Sequence, residues 1–380
     1  MISVLDDSLL DDPAGLVAAD TGGFLRSAAT AGAQLRAAAQ AAEEARVGAL
    51  AGTRPRALIL LRRPGTSRYA ASILAALLGD SCPVPLVLAD NAPVWIGPLD
   101  VLVAHTADAG DRELADSVGR AIRRGCEVVL SAPLEGPVAA AGAGAARLLE
   151  PRVPAPPGLD LPRALAAGLV TVAALGLLPI DLDELAGELD RELERDHPSH
   201  EPFVNPAKAL ALRLADRTPL LWGTDSVATE VASYAAATLA RHAAVVAHAA
   251  DVAEAASASA LQRMLAGVEA GADVFHDPFD DPGESVVGGL APPRAMLLST
   301  ADLDPVAAVM RRAGRHWPAA DTVHPIEEVP PGTRHAALRR AALIVTRFDL
   351  AALYLGLLGA VLGRGPSVDQ GVTRRLSEPA

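Results

Sequence analysis

Short apolar runs alternate with helical patterns along the first half of the chain. Continuous apolar runs of this length are typical of parallel strands that are buried on both faces. The strand candidates are Ala57–Leu61, Val84–Leu88, Asp100–Ala104 and Glu127–Ser131, and the helical stretches between them are Tyr69–Leu78 and Asp111–Arg123. This alternation predicts an α/β domain built on a doubly wound parallel sheet.

A similar order returns in the second half. The helix Pro206–Leu214 precedes an apolar strand at Pro219–Trp222, and a hydroxyl-bearing turn follows at Gly223–Ser226. A long helical region, which includes the Ala-rich stretch Arg241–Asp251, then leads to a strand at Ala295–Ser299. The recurrence of strand, hydroxyl-bearing turn and helix is a weak internal repeat and predicts a second α/β domain.

Proline marks the boundary between the two halves. Five prolines fall between Leu149 and Pro162 in a segment without periodicity, which is typical of a connector. We therefore expect the following organisation: a helical arm over 1–53, a first domain over 54–150, a connector over 151–162, a second domain over 163–375 and a tail over 376–380.

The composition excludes several classes of function. Hydrophobic residues make up 51% and charged residues 21% of the chain, as in a globular protein. A net charge of −13 argues against nonspecific binding to nucleic acid, which requires a basic face. Cys82 and Cys126 belong to no Cys/His cluster, so neither a metal site nor a disulfide is predicted. The acidic N-terminus lacks the basic region of a signal peptide, and the apolar run Leu165–Leu178 is too short to span a bilayer; we expect a cytoplasmic protein.

Hydroxyl-bearing turns follow two of the predicted strands. Gly65, Thr66 and Ser67 lie directly before a helix, where backbone N–H groups and the helix dipole favour a phosphate. Thr106 occupies the corresponding turn after the third strand. Ligands of open parallel sheets bind beyond the carboxyl ends of the strands, so these four residues are the candidate phosphate site. The alternative is an ordinary strand–helix turn with a Thr or Ser cap.

Taken together, these segments resemble the bifunctional phosphoglucose/phosphomannose isomerases, which carry two sugar isomerase (SIS) domains. The resemblance runs from about Arg56 to Arg375, and the chain is most similar to the diverged TobH-type branch. Gly65–Thr66–Ser67 stands at the family's GGS turn, and Thr106–Gly110 at its SGNTEE turn. Pro162–Arg163 matches a Pro–Arg pair, and Asn205–Pro206–Ala207–Lys208 matches an N-x-A-K motif.

The resemblance implies a hexose 6-phosphate ligand, such as mannose 6-phosphate or fructose 6-phosphate, a homodimer with a shared site, and no cofactor. It assigns Arg163 to the charge that stabilises the enediolate, and it places His276 at the family's ring-opening histidine. The family's glutamate base has no counterpart, and His248 stands at its position in the simplest alignment. The alternative interpretation of His248 is a helix-surface or core histidine, which its Ala-rich surroundings favour, and that of His276 is an exposed turn residue.

Whether catalysis survives is therefore left open between two hypotheses. The first is an aldose–ketose isomerase, and the second is a degenerate sugar-phosphate binder that serves as a sensor or partner protein. A purely structural protein is a third reading, against which the retained hydroxyls and Arg163 argue. A dehydrogenase would need GxGxxG, but the turn at Arg62–Ser67 has one glycine. Asp277, Asp280 and Asp281 lack EF-hand spacing and predict a solvated acidic turn.

Overall fold

A computed structural model describes residues 7–271, 291–315 and 317–362. Within them the chain forms two parallel sheets surrounded by helices. The strands are β1 Ala57–Leu61, β2 Leu86–Ala89, β3 Asp100–His105, β4 Glu127–Ser131, β5 Arg147–Leu149, β6 Thr218–Gly223, β7 His248–Asp251, β8 Pro293–Leu298 and β9 Asp321–Val323. The fold is thus α/β, with one doubly wound parallel sheet in each half of the chain, as the sequence predicted.

The helices include the long elements that carry the core. They are α1 Pro13–Ala19, α2 Phe24–Ala28, α3 Ala31–Glu44, α4 Thr66–Leu78, α5 Arg112–Arg123, α6 Pro137–Gly142, α7 Leu161–Ala174, α8 Leu182–Arg195, α9 Pro206–Leu214, α10 Ser226–Ala243, α11 Val252–Ser257, α12 Ser259–Gly271, α13 Pro305–Ala313 and α14 Ala336–Leu358.

Strand order places a switch point in each sheet. The first sheet has the order β2-β1-β3-β4-β5 and the second β7-β6-β8-β9, and every pairing within them is parallel. The chain winds one way from β1 to β2 and the other way from β3 onward. The loops that follow β1 and β3 therefore diverge, and a crevice opens between them at the carboxyl edge of the sheet.

One hydrophobic cluster joins the two halves. It holds residues of β1 and α4 from the first half together with residues of β6, α10 and α14 from the second. Two smaller clusters cover the outer faces of the two sheets. In α10, Ala232 and Ala235 are fully buried, and small residues of this kind let helices pack closely. The cluster packs the helices of both halves against each other.

The last described helix, α14, is buried along almost its whole length in this shared core. Among the described helices it alone is long and apolar enough to cross a membrane, and 94% of its apolar window lies inside the fold. Its charged residues are buried with partners: Arg340 donates to the carbonyl of Val329, and Arg347 pairs with Glu192 and Glu328. A buried charge is tolerated where hydrogen bonds satisfy it, so α14 combines an apolar surface with fixed contacts.

Lys208, near the start of α9, forms hydrogen bonds with the N-terminal segment and with the loop before α9. It is the one lysine in the chain, and its side chain is buried. Its Nζ donates to the carbonyl oxygens of Leu10 at 2.6 Å, Pro198 at 2.7 Å and His200 at 2.8 Å. Asn205 caps the same helix by accepting from the Lys208 backbone N–H at 2.9 Å. The N-x-A-K motif is thus a helix start whose lysine holds the chain around it.

The sequence prediction was wrong in one functionally relevant region. The Ala-rich stretch Arg241–Asp251 was expected to be helical, but α10 ends at Ala243 and Ala244 adopts a left-handed conformation with φ of 54°. The chain then enters β7 at His248. Alanine favours helix locally, yet pairing with β6 and the break at Ala244 outweigh that preference. The short strands β5 and β9 were not predicted because three residues carry little periodicity.

Candidate functional site

A cleft opens at the switch point of the first sheet. Its cavity of about 280 Å³ lies close to the lower end of the range for small-molecule sites. Three chain segments and one residue of the second half line it. They are the turn after β1 (Pro64–Ser67), the turn after β3 (His105–Asp108), the connector (Pro157, Gly158 and Asp160) and Arg241. All four predicted phosphate residues, Gly65, Thr66, Ser67 and Thr106, therefore line the same cavity.

Gly65 forms the sharp turn between β1 and α4. Its φ of 90° and ψ of −147° belong to a region that only glycine adopts readily, and no side chain caps the helix at this position. The first N–H groups of a helix have no acceptor within the helix. The turn therefore presents the N-terminus of α4 to the cleft without a neutralising carboxylate in its first turn.

The hydroxyls of this turn point into the protein. Thr66 donates to Asp160 Oδ1 at 3.0 Å, and Ser67 donates to the carbonyl oxygen of Leu61 at 3.2 Å. Both residues are buried. A hydroxyl has one proton, and a phosphate requires donors, so the backbone N–H groups are the more direct donors to an anion here. The two hydroxyls hold the turn in shape.

The second turn carries a carboxylate. Thr106 accepts from the backbone N–H of Asp108 at 3.0 Å, which closes a local turn. The Asp108 carboxylate accepts from the N–H of Gly110 at 2.8 Å and is exposed to solvent. An ionised group at the wall of the cleft works against a bound anion through like-charge repulsion.

Asp160 contacts all three chain segments that line the cleft. Besides Thr66, its carboxylate accepts from the Gly158 N–H at 3.3 Å and contacts His105 Nε2 at 3.0 Å and Arg163 Nη2 at 3.6 Å. Burial alone would raise the pKa of Asp160, but the hydrogen bond and charge of His105 and the charge of Arg163 outweigh burial and lower it to about 2. Asp160 is thus an ionised carboxylate that forms three hydrogen bonds and lies beside a guanidinium.

His105 is held between two side chains at the end of β3. Its Nδ1 lies 2.9 Å from Ser131 Oγ on β4, opposite the contact with Asp160. Ser131 and His105 are both buried, and of the two only His105 lines the cleft. Ser131, His105 and Asp160 resemble a hydrolase triad in composition only, because the serine has no access to a substrate.

Arg163 lies behind the cleft wall, in the first turn of α7. It is buried, and it donates to the carbonyl oxygen of Val153 at 3.3 Å as well as contacting Asp160. Burial lowers its pKa, and Asp160 partly offsets that effect. Arg163 also lines a neighbouring cavity formed by the connector prolines. Its guanidinium is therefore next to the cleft but already committed to protein acceptors.

The predicted histidines are not brought to this cleft. His248 begins β7 in the second sheet, is exposed, and accepts a long hydrogen bond of 3.4 Å from Trp222 Nε1. Because β7 runs parallel to β6, His248 stands at the amino edge of the second sheet. His276 and the acidic turn Asp277–Asp281 lie outside the described residues. Across the described parts of the chain, no group of three or more His, Cys, Asp or Glu side chains is arranged to hold a metal ion.

Sequence reasoning missed the residues that organise the site. His105 carried a usable signal, since a polar residue that ends an apolar strand lies at the carboxyl edge of the sheet. Asp160 precedes α7 in the connector and carried no such signal. Gly158 and Arg241 had no such signal, because they meet across the two halves of the chain.

A buried acid connects the connector to α14. Tyr234 Oη lies 3.2 Å from the Gly158 carbonyl oxygen and 2.6 Å from Asp349 Oδ1. One phenolic proton serves one acceptor, and a carbonyl has none to give. Both hydrogen bonds form together only if Asp349 is protonated and donates to Tyr234. Burial raises the pKa of Asp349 to about 8, against the lowering effects of Tyr234 and Arg241.

This arrangement predicts a pH dependence of stability. The unfolded carboxyl ionises near its ordinary pKa of 3.8, whereas the folded one keeps its proton to about pH 8. Folding then takes up a proton, and the free energy of unfolding falls by about 1.4 kcal/mol per pH unit between those limits because of this group. Asp349→Asn keeps the donor and removes the titration. We expect the difference in unfolding free energy between the variant and the parent to grow from pH 5 to pH 7 in urea titrations. Parallel profiles would show that Asp349 is ionised in the fold.

Comparison with known proteins places the fold. A sequence-family model, the bacterial phospho-glucose isomerase C-terminal SIS domain, matches residues 203–361. Among curated protein sequences nothing matches.

Three solved structures illustrate the similarity. A phosphosugar-isomerase candidate from Silicibacter pomeroyi DSS-3 has 15% identity and a TM-score of 0.56, covering 87% of this chain and 96% of its own. Tagatose-6-phosphate ketose/aldose isomerase from Escherichia coli has 13% identity and a TM-score of 0.50, covering 91% and 93%. The C-terminal domain of glucosamine-fructose-6-phosphate aminotransferase from Francisella tularensis has 9% identity and a TM-score of 0.51, covering 91% and 96%.

At these identities the structural similarity establishes the fold alone. Each solved structure aligns with most of this chain, so the likeness includes both sheets and the helices between them. The chain therefore has the two-domain SIS fold of the phosphosugar isomerases, and its residues 203–361 are similar to the C-terminal SIS domain of bacterial phosphoglucose isomerase.

Proposed function

We propose that this chain is a sugar-phosphate-binding SIS protein that takes a hexose 6-phosphate in the cleft after β1 and β3. The observation that carries the proposal is the convergence of Gly65, Thr66, Ser67 and Thr106 on one cavity at the switch point of the first sheet. The N-terminus of α4 opens into that cavity and favours an anion. By their names, the structurally similar isomerase and aminotransferase act on sugar phosphates, which supports the same ligand class here.

Binding without efficient isomerisation fits the described residues best. Isomerisation through an enediol needs a base beside C2 of the sugar. Asp160 is a poor base because its pKa is lowered to about 2 and its buried carboxylate already forms hydrogen bonds with Thr66, His105 and Gly158. His248 lies in the second sheet, away from the cleft. The primary proposal is therefore a sugar-phosphate binder that acts as a sensor or as the partner of another protein.

An aldose–ketose isomerase is the second candidate. The guanidinium of Arg163 lies 3.6 Å from Asp160 at the cleft wall and is the group that would stabilise an enediolate. In this reading mannose 6-phosphate or fructose 6-phosphate is the substrate, His248 is the base, and His276 opens the ring from a partner subunit. We propose with it a homodimer, a cytoplasmic location and a place in the TobH-type branch, with a first domain over 54–150 and a second over 163–375.

The ligand test compares charged with neutral sugars. Fructose 6-phosphate, glucose 6-phosphate and mannose 6-phosphate should raise the melting temperature of the full chain, because a ligand that binds the folded state stabilises it. The unphosphorylated hexoses at equal concentration should give no shift. Equal behaviour of both sets, or no shift with either, would exclude phosphate recognition as the basis of binding.

Removing the carboxylate of Asp108 sharpens this test. Asp108→Asn keeps the acceptor for the Gly110 N–H and removes a negative charge from the cleft wall. Relief of that repulsion should tighten hexose 6-phosphate binding by roughly two- to fivefold, as measured by titration calorimetry. Asp116→Asn, an exposed residue of α5 outside the cleft lining, is the control and should change nothing. Weaker binding by Asp108→Asn would mean that the ligand places a hydroxyl or a cation there.

A coupled assay separates the two candidates. Protein purified away from host isomerases is offered mannose 6-phosphate, glucose 6-phosphate and fructose 6-phosphate, with Arg163→Gln and His248→Ala in parallel. Loss of a general base lowers rates by about 10² to 10⁴, so we expect turnover far below that of an efficient isomerase. Robust turnover abolished by His248→Ala would reverse the order of the two candidates.

A further inference from the structure

Arg241 is a cation from the second half of the chain that reaches the first-half cleft. It lies in the last turn of α10, is exposed to solvent, and lines the cavity with the turns after β1 and β3. Within the described ranges, its guanidinium forms no ion pair or hydrogen bond with the protein.

Two other arginines near the cleft, Arg163 and Arg63, are already occupied. Arg163 contacts Asp160 and the carbonyl of Val153, as described above. Arg63 forms a two-point pair with Asp111 at 2.9 Å and also contacts Glu113 at 3.1 Å. Among the described residues that line the cleft, Arg241 is the one arginine, and its donors are available to a ligand. A free guanidinium can donate two parallel N–H groups to two oxygens of a phosphate.

The Arg241 side chain packs against the backbone of Gly158, and this contact leaves the charge of the guanidinium unpaired. A Cβ at Gly158 would lie 2.5 Å from Arg241 Cδ and 2.6 Å from Nη1, so the arginine lies directly against the connector backbone. Gly158 also has a φ of 99°, which side-chain-bearing residues rarely adopt. A side chain at position 158 would therefore both strain the backbone and collide with Arg241.

The same helix fixes the connector from a second point. Tyr234, two turns before Arg241 on α10, contacts the Gly158 carbonyl oxygen at 3.2 Å. The Gly158 N–H in turn donates to Asp160 at 3.3 Å. The connector is therefore held between α10 and Asp160, and the Arg241 side chain packs against it where it lines the cleft.

We propose that Arg241 binds the phosphate of the ligand together with the N-terminus of α4, so that the anion is held between the two halves of the chain. This inference rests on the proposed sugar-phosphate function and names the residue that provides its charge. Arg241 contributes from the second half, and the backbone of Gly65–Ser67 contributes from the first. The ligand then bridges elements that are far apart in sequence, and its affinity falls as salt screens the guanidinium.

The experiment measures fructose 6-phosphate binding by titration calorimetry on the full chain. Arg241→Gln should weaken binding at least about tenfold, since it removes a charge-assisted contact. Arg241→Lys keeps the charge without the planar fork and should weaken binding less. Arg123→Gln, an exposed arginine of α5 outside the cleft lining, is the matched control and should bind as the parent does.

Gly158→Ala provides an independent variant. Its Cβ displaces the guanidinium while leaving the charge of the protein unchanged, so it should reproduce the loss of affinity. If the parent binds fructose 6-phosphate and both Arg241→Gln and Gly158→Ala bind it equally well, the assignment of Arg241 is wrong and the cleft proposal stands. If the parent binds no hexose 6-phosphate, both proposals are overturned.

Discussion

Replacing Asp160 by alanine is expected to lower the free energy of unfolding by about 3–5 kcal/mol, the cost typical of removing one partner from a buried ion pair. The carboxylate accepts from Thr66 and Gly158 and faces His105 and Arg163. Without it, the buried guanidinium of Arg163 keeps its charge and has one neutral acceptor left, the carbonyl of Val153. Urea titrations of parent and variant at pH 7 give the difference directly.

Asp160→Asn is the matched control. The amide keeps the shape and one acceptor oxygen but loses the charge, so it should cost less than alanine. The alanine variant should also lose the melting-temperature response to hexose 6-phosphates, because the turn at Thr66 and the connector at Gly158 are no longer tied together. Asp160→Asn keeps the oxygen that accepts from both groups and should retain the response. An alanine variant within about 1 kcal/mol of the parent would show that water replaces the carboxylate and that Asp160 does not organise the cleft.

Replacing Lys208 by methionine is expected to cost about 3 kcal/mol or more of unfolding free energy. Methionine fills similar space but leaves the carbonyls of Leu10, Pro198 and His200 without their shared donor. Hydrogen bonds to charged groups contribute about 1.5–3 kcal/mol each, and water can recover part of the loss at the partly exposed loop. Thermal and urea unfolding of the variant provide the measurement.

Lys208→Arg tests why this position is a lysine. The ammonium directs three donors around one atom, whereas the guanidinium directs its donors in a plane from a larger head group. We expect arginine to destabilise the protein although it keeps the charge. A fully stable Lys208→Arg variant would contradict this geometric argument. Since 33 Lys and Arg residues include a single lysine, this position is the exception to a strong preference for arginine.

The central strands of the first sheet were predictable because they are buried on both faces. Ala57–Leu61 is a continuous apolar run and Glu127–Ser131 has an apolar centre, and the structure has strands with the same bounds. In the second half, the four-residue strand His248–Asp251 was hidden in an alanine-rich sequence whose local preference is helical. Strand pairing is a nonlocal interaction, so no pattern within Arg241–Asp251 could reveal it.

Only the part of the candidate site that is formed by the turns after β1 and β3 was predictable from the sequence. Gly65 and Thr106 follow apolar strands directly, and parallel topology then brings them to one edge. Asp160 contacts His105 across 55 positions of sequence, and Tyr234 contacts Asp349 across 115. Such pairs depend on how the helices α7, α10 and α14 pack against each other. The spacing of residues along a single sequence does not reveal that packing. The roles of Arg163, His248 and His276 stay predictions.

The position of α14 in the chain has a consequence for biosynthesis. This helix follows all nine described strands in sequence, yet it covers the apolar face of α10 inside the shared core. A nascent chain that extends only through β9 can pair its second sheet but leaves that face of α10 in water. Exposed hydrophobic surface of this kind makes partly synthesised proteins prone to aggregation and to capture by chaperones. The second half therefore completes its fold only after α14 has been synthesised, whereas the first sheet and the helix α5 against it can form before that point.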